Sequence, residues 1–263
     1  MKPLRAILLK EFAEIAKNRL LLFTIIGPLL ILPALPLAMV YTFNLDLEPV
    51  TAEDVRFFVE RVPAWAGLPP EDVLQMVMLQ QMMILFLIMP LVIPMSVAAF
   101  SIIGEKKART LEPLLATPVP TTTILLGKSI AAVLPGLFAT WISYGLTLAG
   151  LRLLLTSAAA WEAVSGSVWW VAMGVVTPLL ALFSVLVGVI VSSRVNDTRA
   201  AQQIGGVVVL PVVAFSVAQA AGFLLLNMTT VLLGGLIVFV LDGVTLWVAV
   251  VLFERERILT RWA

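Results

Sequence analysis

Residues 73–104 read VLQMVMLQQMMILFLIMPLVIPMSVAAFSIIG, 32 positions without a charge. A helix needs about 20 apolar residues to cross about 30 Å of hydrocarbon, so this segment can span a membrane with turns to spare. It does not alternate polar with apolar, as a barrel strand of about ten residues would. Outward from it the same pattern recurs. Residues 20–45 give 26 uncharged positions, 129–151 give 23, and 163–193 give 31. Residues 200–241 give 42, followed by Asp242 and eleven more uncharged residues to Phe253. Each of the first four gaps fits one span. The last region fits two, with a turn at its most polar point, Asn227-Met228-Thr229. The sequence therefore predicts an all-α integral membrane protein with six transmembrane helices, over about 20–43, 80–103, 129–151, 168–191, 203–226 and 230–253, forming a single domain over 1–263.

Composition agrees. Of 263 residues, 61% are hydrophobic and 13% charged, with a mean hydropathy of +1.07. Soluble domains run nearer about 45–50% apolar and about 25% charged, which excludes a soluble fold. Cysteine and histidine are absent, which excludes disulfides, thiol nucleophiles, Cys/His zinc sites and histidine general bases. The first apolar run is too long for a cleavable signal, and nineteen polar and amphipathic residues precede it.

Six spans put both termini on one side. Lys2, Arg5, Lys10, Lys17, Arg19, Lys106, Lys107, Arg109, Lys128, Arg194, Arg199, Arg255, Arg257 and Arg261 fall there, 14 of the 17 basic residues. Arg56, Arg61 and Arg152 fall opposite. The positive-inside rule then predicts cytoplasmic termini in a plasma (inner) membrane protein. The loop over 44–79 is extracytoplasmic and acidic, with Asp46, Glu48, Glu53, Asp54, Glu60, Glu71 and Asp72. Within it Thr51-Ala52-Glu53-Asp54 resembles a capping box, and Val55, Phe58, Val59 and Val62 follow at helical spacing, a short surface helix. Pro69-Pro70-Glu71-Asp72 reads as the start of the second long helix.

Residues 1–19 form an amphipathic interfacial helix, with Leu4, Ile7, Leu8, Phe12 and Ile15 on one side and Lys10, Glu11, Glu14, Lys17 and Asn18 on the other. It serves as a membrane anchor, as a surface for a cytosolic partner, or as both. The cytoplasmic loop over 104–128 carries Gly104-Glu105-Lys106-Lys107-Ala108-Arg109-Thr110-Leu111-Glu112-Pro113-Leu114-Leu115-Ala116-Thr117-Pro118. Leu111, Leu114 and Leu115 make an apolar patch on a short helix that Pro118 and Pro120 stop. Such a patch either folds back on the bilayer or docks in a groove of another protein.

This loop, followed by Leu125-Leu126-Gly127-Lys128, resembles the first cytoplasmic loop of ATP-binding-cassette type-2 exporter permeases. The N-terminal helix, the six spans and Phe253-Glu254-Arg255-Glu256-Arg257-Ile258-Leu259 are similar to that family too. The resemblance implies a short coupling helix docking on a cytosolic ATPase subunit through Lys107, Thr110, Leu111, Glu112, Leu114, Leu115 and Thr117. It also implies an N-terminal connecting helix, a second permease copy or paralogue, and a re-entrant stretch before Asn227.

Gly127-Lys128-Ser129 mimics the end of a phosphate loop, but the required earlier glycine is Thr122 and the triplet stands at a membrane entry. ATP and magnesium are therefore expected on the partner, with no cofactor, metal or catalytic residue here. Membrane lipids are expected partners, and nucleic acid is not. Asp242 is the one acid well inside a span. It is either a cation or proton ligand on the pathway or a hydrogen-bonded packing residue, with Thr140, Ser143 and Tyr144 as candidate donors. Prolines stand in five spans, Pro28, Pro33, Pro36, Pro90, Pro94, Pro135, Pro178 and Pro211, and can kink them. Sparse intramembrane charge favours a lipophilic or amphipathic cargo. A secondary transporter would show several intramembrane ligands or an inverted repeat. An intramembrane aspartyl protease would need a second acid. A non-transporting structural or assembly subunit of a larger membrane complex is the remaining alternative.

Overall fold

Backbone that crosses hydrocarbon must satisfy its polar groups within itself, which a helix does segment by segment. The computed structural model describes residues 2–45, 49–110, 119–224 and 226–252. Among the described residues it holds helices and turns and no strand, and six helical rods are long and apolar enough to cross a membrane. Helix α1 (Lys2–Lys17) precedes the first rod, α2 (Arg19–Leu45). A short α3 (Ala52–Arg61) leads to the rods α4 (Pro70–Lys107), α5 (Thr121–Leu154), α6 (Ala158–Arg194), α7 (Thr198–Ala220) and α8 (Met228–Leu252).

Local sequence explains the ends. Pro70 opens α4, with Glu71 and Asp72 in its first turn, where a missing N–H costs nothing and negative charge meets the helix dipole. The Asp54 carboxylate accepts the Thr51 N–H and hydroxyl, both at 2.8 Å, at the start of α3. Asp197 accepts the Arg199 and Ala200 N–H groups at 3.0 Å at the start of α7.

Rod α4 is the core: 72% of its most apolar stretch is buried, against 50% in α5 and α6 and 17% in α2, α7 and α8. It packs between α5 and α6, α2 lies on α5, α8 lies on α6, and α1 crosses the start of α5. Short polar side chains tie the rods. Ser184 donates to the Leu91 carbonyl, Tyr144 to that of Val164 at 2.9 Å, and Ser143 to that of Leu29 at 3.3 Å, the interhelical bonding expected in hydrocarbon. At the acidic end α3 packs on α4, and Arg61 reaches across to the Gly222 carbonyl at 3.1 Å, so α3 covers the turn between α7 and α8. Gly222 has φ +71, a conformation that costs glycine little.

Three rods lose regular α geometry: a 3-10 turn at Leu85–Ile88 in α4, a π segment at Ala172–Val176 in α6 and a 3-10 turn at Gly206–Val209 in α7. Each ends two residues before a proline, namely Pro90, Pro178 and Pro211. Proline lacks an N–H and its ring crowds the carbonyl four residues back, so the preceding turn tightens or widens. In α6 the Thr177 N–H bonds Ala172, five residues back. The Met173 carbonyl takes the Thr177 hydroxyl at 2.6 Å and the Trp141 indole at 2.9 Å. Rod α7 nevertheless runs from Thr198 to Ala220 without doubling back. Beside Gly205-Gly206 and ahead of Pro211 it tightens to the 3-10 turn and then continues as α-helix to Ala220.

One tight crossing in the core sets Gly136 of α5 against Pro94 of α4, where a Cβ on Gly136 would stand 2.5 Å from the proline Cγ. Gly136→Val is expected to destabilise the purified chain by about 1–3 kcal/mol, and adding Pro94→Ala to restore part of the loss. Thermal midpoints that do not respond to either change would remove this contact from the packing.

Candidate functional site at the basic end of the bundle

The docked face of α1 decides what gathers at this end. Leu4, Leu8, Glu11, Ile15 and Asn18 recur at spacings of three and four, one face of a helix, and that face turns inward. Glu11 and Ile15 are 2% and 7% exposed, while Leu9 and Phe12 point outward. The outward polar face predicted for Glu11 is therefore corrected: an acid occupies the middle of the buried stripe.

It is buried against charge. The Lys128 ammonium, at the start of α5, donates to Glu11 Oε1 and to Ser101 Oγ, both at 2.7 Å, and lies 2.9 Å from Glu105 Oε2. Lys10 donates to the other Glu105 oxygen and lies 3.5 Å from Glu14. Glu105 and Lys128 are 5% and 6% exposed. Burial alone would lower the Lys10 ammonium, but its bond to Glu105 and the charges of Glu105, Glu14 and Glu11 outweigh burial and hold it above the ordinary lysine range. Its contribution is therefore present below about pH 10.4, the unfolded value, and is lost only as pH rises through the raised folded value. Gly127 makes the approach possible, since a Cβ there would stand 2.8 Å from Ile7 Cγ2 and 3.3 Å from Leu4 Cδ1. The Gly127-Lys128-Ser129 triplet thus serves helix docking and a buried ion pair.

The cluster sits at both roots of the loop that carries the predicted docking residues. Glu105 belongs to the last turns of α4 and Lys128 to the first turns of α5. Beyond Glu105 the helix ends in a Schellman turn: the Thr110 N–H bonds the Glu105 carbonyl at 3.0 Å and the Arg109 N–H that of Lys106 at 3.1 Å. Arg109 takes φ 53 there, where glycine is usual, at a backbone cost of roughly 1 kcal/mol. Lys106 donates to the Ser192 and Ser193 carbonyls at 2.6 and 3.0 Å, joining α4 to the end of α6.

Of the residues predicted to dock, Lys107 and Thr110 are exposed at this root. Thr110 helps close the Schellman turn, and the Lys107 charge helps hold Asp197 below the usual carboxylate range, after the larger effect of the Ala200 N–H. Leu111, Glu112, Leu114, Leu115 and Thr117 lie outside the described residues. Asp242, in α8, is 5% exposed, and neither carboxylate oxygen has a hydrogen-bond partner among the described residues. Thr140, Ser143 and Tyr144 bond the carbonyls of Gly136, Leu29 and Val164 and do not reach it.

Residues 71–233, from the first turn of α4 into α8, match the family described as ABC-2 family transporter protein. The chain belongs to the ABC-2 transporter family. A comparison with curated proteins finds no match. In this ABC permease subunit Glu105 and Lys128 fall within the matched region, while Lys10 and Glu11 precede it. The ion cluster therefore ties the N-terminal helix of the permease to its family core.

Removing one partner of a buried pair leaves a charge stranded, at about 3–5 kcal/mol. Lys128→Met is expected to lower the unfolding midpoint sharply, and Glu11→Gln with Glu105→Gln in the same chain to recover most of it. Lys10→Ala, at the more exposed rim, should cost about 1 kcal/mol or less. Equal losses for Lys10→Ala and Lys128→Met would contradict the burial order. Arg109→Gly, which relieves the left-handed backbone, should raise the midpoint slightly.

Proposed function

We propose that this permease is the membrane half of an ATP-driven exporter, worked from the cytosol by a separate ATPase that holds the ATP and magnesium. The whole chain, 1–263, acts as one permease domain in the plasma (inner) membrane, with its basic end and both termini in the cytoplasm, and it pairs with a second copy or a paralogue. The loop over 104–128 is the coupling element. Lys107, Thr110, Leu111, Glu112, Leu114, Leu115 and Thr117 meet the ATPase. The cargo is lipophilic or amphipathic. Asp242 acts in packing, so Asp242→Asn should leave partner-stimulated hydrolysis intact.

The observation that carries this reading is the rooting of the loop at both ends in one buried ion cluster. Glu105 and Lys128 share contact with each other and with α1. A push on a loop with flexible roots would be absorbed locally. Here the same push is delivered to α4, the most buried rod, and to α5 together.

Two measurements test the reading. Leu114→Asp with Leu115→Asp, expressed with the cognate ATPase, should lower co-purification and stimulated hydrolysis at least tenfold while the permease still folds. Unchanged binding and hydrolysis would defeat the docking assignment. Sidedness is accessible because the chain has no cysteine of its own. A membrane-impermeant maleimide applied to intact cells should label Glu60→Cys, and Thr198→Cys only after permeabilisation. The reverse pattern would invert the topology.

A further inference from the structure

Between α4, α6, α7 and α8 lies a cavity of about 280 Å³. Its wall is apolar apart from Thr230, whose hydroxyl already donates to the Asn227 carbonyl at 2.9 Å and accepts the Asn227 N–H at 3.0 Å. A water inside would find no set of polar partners, and apolar cavities of this kind stay dry. An apolar cavity of about 150 Å³ is enough to take up benzene, and this one is larger.

The cavity is shaped by the three helix irregularities rather than left over from loose packing. Leu87 comes from the 3-10 turn of α4, Ala172 and Val176 from the π segment of α6, and Val208 from the 3-10 turn of α7. In each rod the distortion precedes a proline, so the groove it opens is written into the sequence. Rod α8 closes the fourth side with Val231, Gly234, Val238 and Leu241, one face at helical spacing. A Cβ on Gly234 would meet nothing within 4 Å, so the absence of a side chain there widens the cavity and relieves no clash. The two walls α7 and α8 bury only 17% of their most apolar stretches. The space between them therefore adjoins what surrounds a membrane-spanning chain at that depth, which is hydrocarbon.

We propose that this cavity is a binding site for a single alkyl chain, the acyl tail of a membrane lipid. Shape and apolarity select a flexible chain without polar atoms, and packing contact with Leu87, Val176 and Val208 holds it, since transfer from bilayer to protein changes no hydrophobic exposure. The site needs the membrane-spanning fold alone and stands apart from any ATPase.

The test uses the full-length chain in nanodiscs doped with a phospholipid bearing a diazirine in its acyl chain. After irradiation, adducts mapped by peptide mass spectrometry should concentrate at 87–91, 208–215 and 231–241. Gly234→Leu, which fills the space, should lower them at least fivefold and leave adducts on the exposed face of α2, around Phe23 and Ile31, unchanged. Gly234→Ala should retain most of the labelling. If Gly234→Leu does not fold, Val238→Phe provides the same blockade from the next turn. Cavity labelling that survives both fillings, or never exceeds that of the α2 exterior, overturns the site. So does its absence from a dimeric preparation in which a second copy seals the cavity. With a working ATPase present, labelling steady through turnover identifies a resident lipid, and labelling that falls during turnover identifies the same tail as cargo. Either outcome supports the site.

Discussion

The buried meeting of Lys128 with Glu11 and Glu105 constrains everything at the basic end. These charges are out of water, so each depends on the others being in place. An apolar set of the same shape would hold α1 as firmly. What the ions add is register, because a slide of α1 that puts Leu8 in the place of Glu11 would strand the ammonium. Three segments that are far apart in sequence are thereby fixed against one another: the N-terminal helix, the end of α4 and the start of α5. Gly127 is the steric half of the same device, since the helix that delivers Glu11 must also pass Ile7 over the α5 backbone.

Much of the fold was legible because charge is excluded from hydrocarbon: gaps between charges map onto rods almost directly, and the basic residues sort to one end. The second rod begins at Pro70, the start that Pro69-Pro70-Glu71-Asp72 marks in the sequence; its turns ahead of the span set at 80 pack under α3 and need no lipid-compatible surface. The centre of the candidate site was harder to read. Polarity alone places Glu11 outward, although its position between Leu8 and Ile15 marks it as part of the inward stripe. Lys128 looked like one more cytoplasmic cation, since its partners lie more than twenty positions away, at Glu105 and Glu11. The hydroxyls of Thr140, Ser143 and Tyr144 were candidates for Asp242, but a hydroxyl in a helix usually finds a carbonyl first, on its own turn or on a packed neighbour.

The prolines show the same divide. Each was visible as a potential kink. That Pro90, Pro178 and Pro211 would each distort the turn before it, and that all three turns would border one cavity, is a property of packing that no single segment carries.

The two regions differ in stiffness along the same rods, and that difference bears on how movement would travel. From Glu105 down to the 3-10 turn that ends at Ile88, α4 is helical over about 25 Å, with Pro94 inside that stretch. The stretch of α6 between Ser192, held by Lys106, and Val176 is of similar length. Regular helices transmit displacement as rods, and bend where a proline has removed a backbone bond. A shift imposed at the ion cluster therefore runs along unbroken helix to Pro94 in α4 and to the distorted turn in α6. At the distorted turns of α4 and α6 the walls of the cavity meet, so the deformable part of each rod is also the part that shapes the space between them. A permease driven from its basic end would change shape there first, while the α3-covered acidic end, tied by Arg61 to Gly222, resists until those turns give.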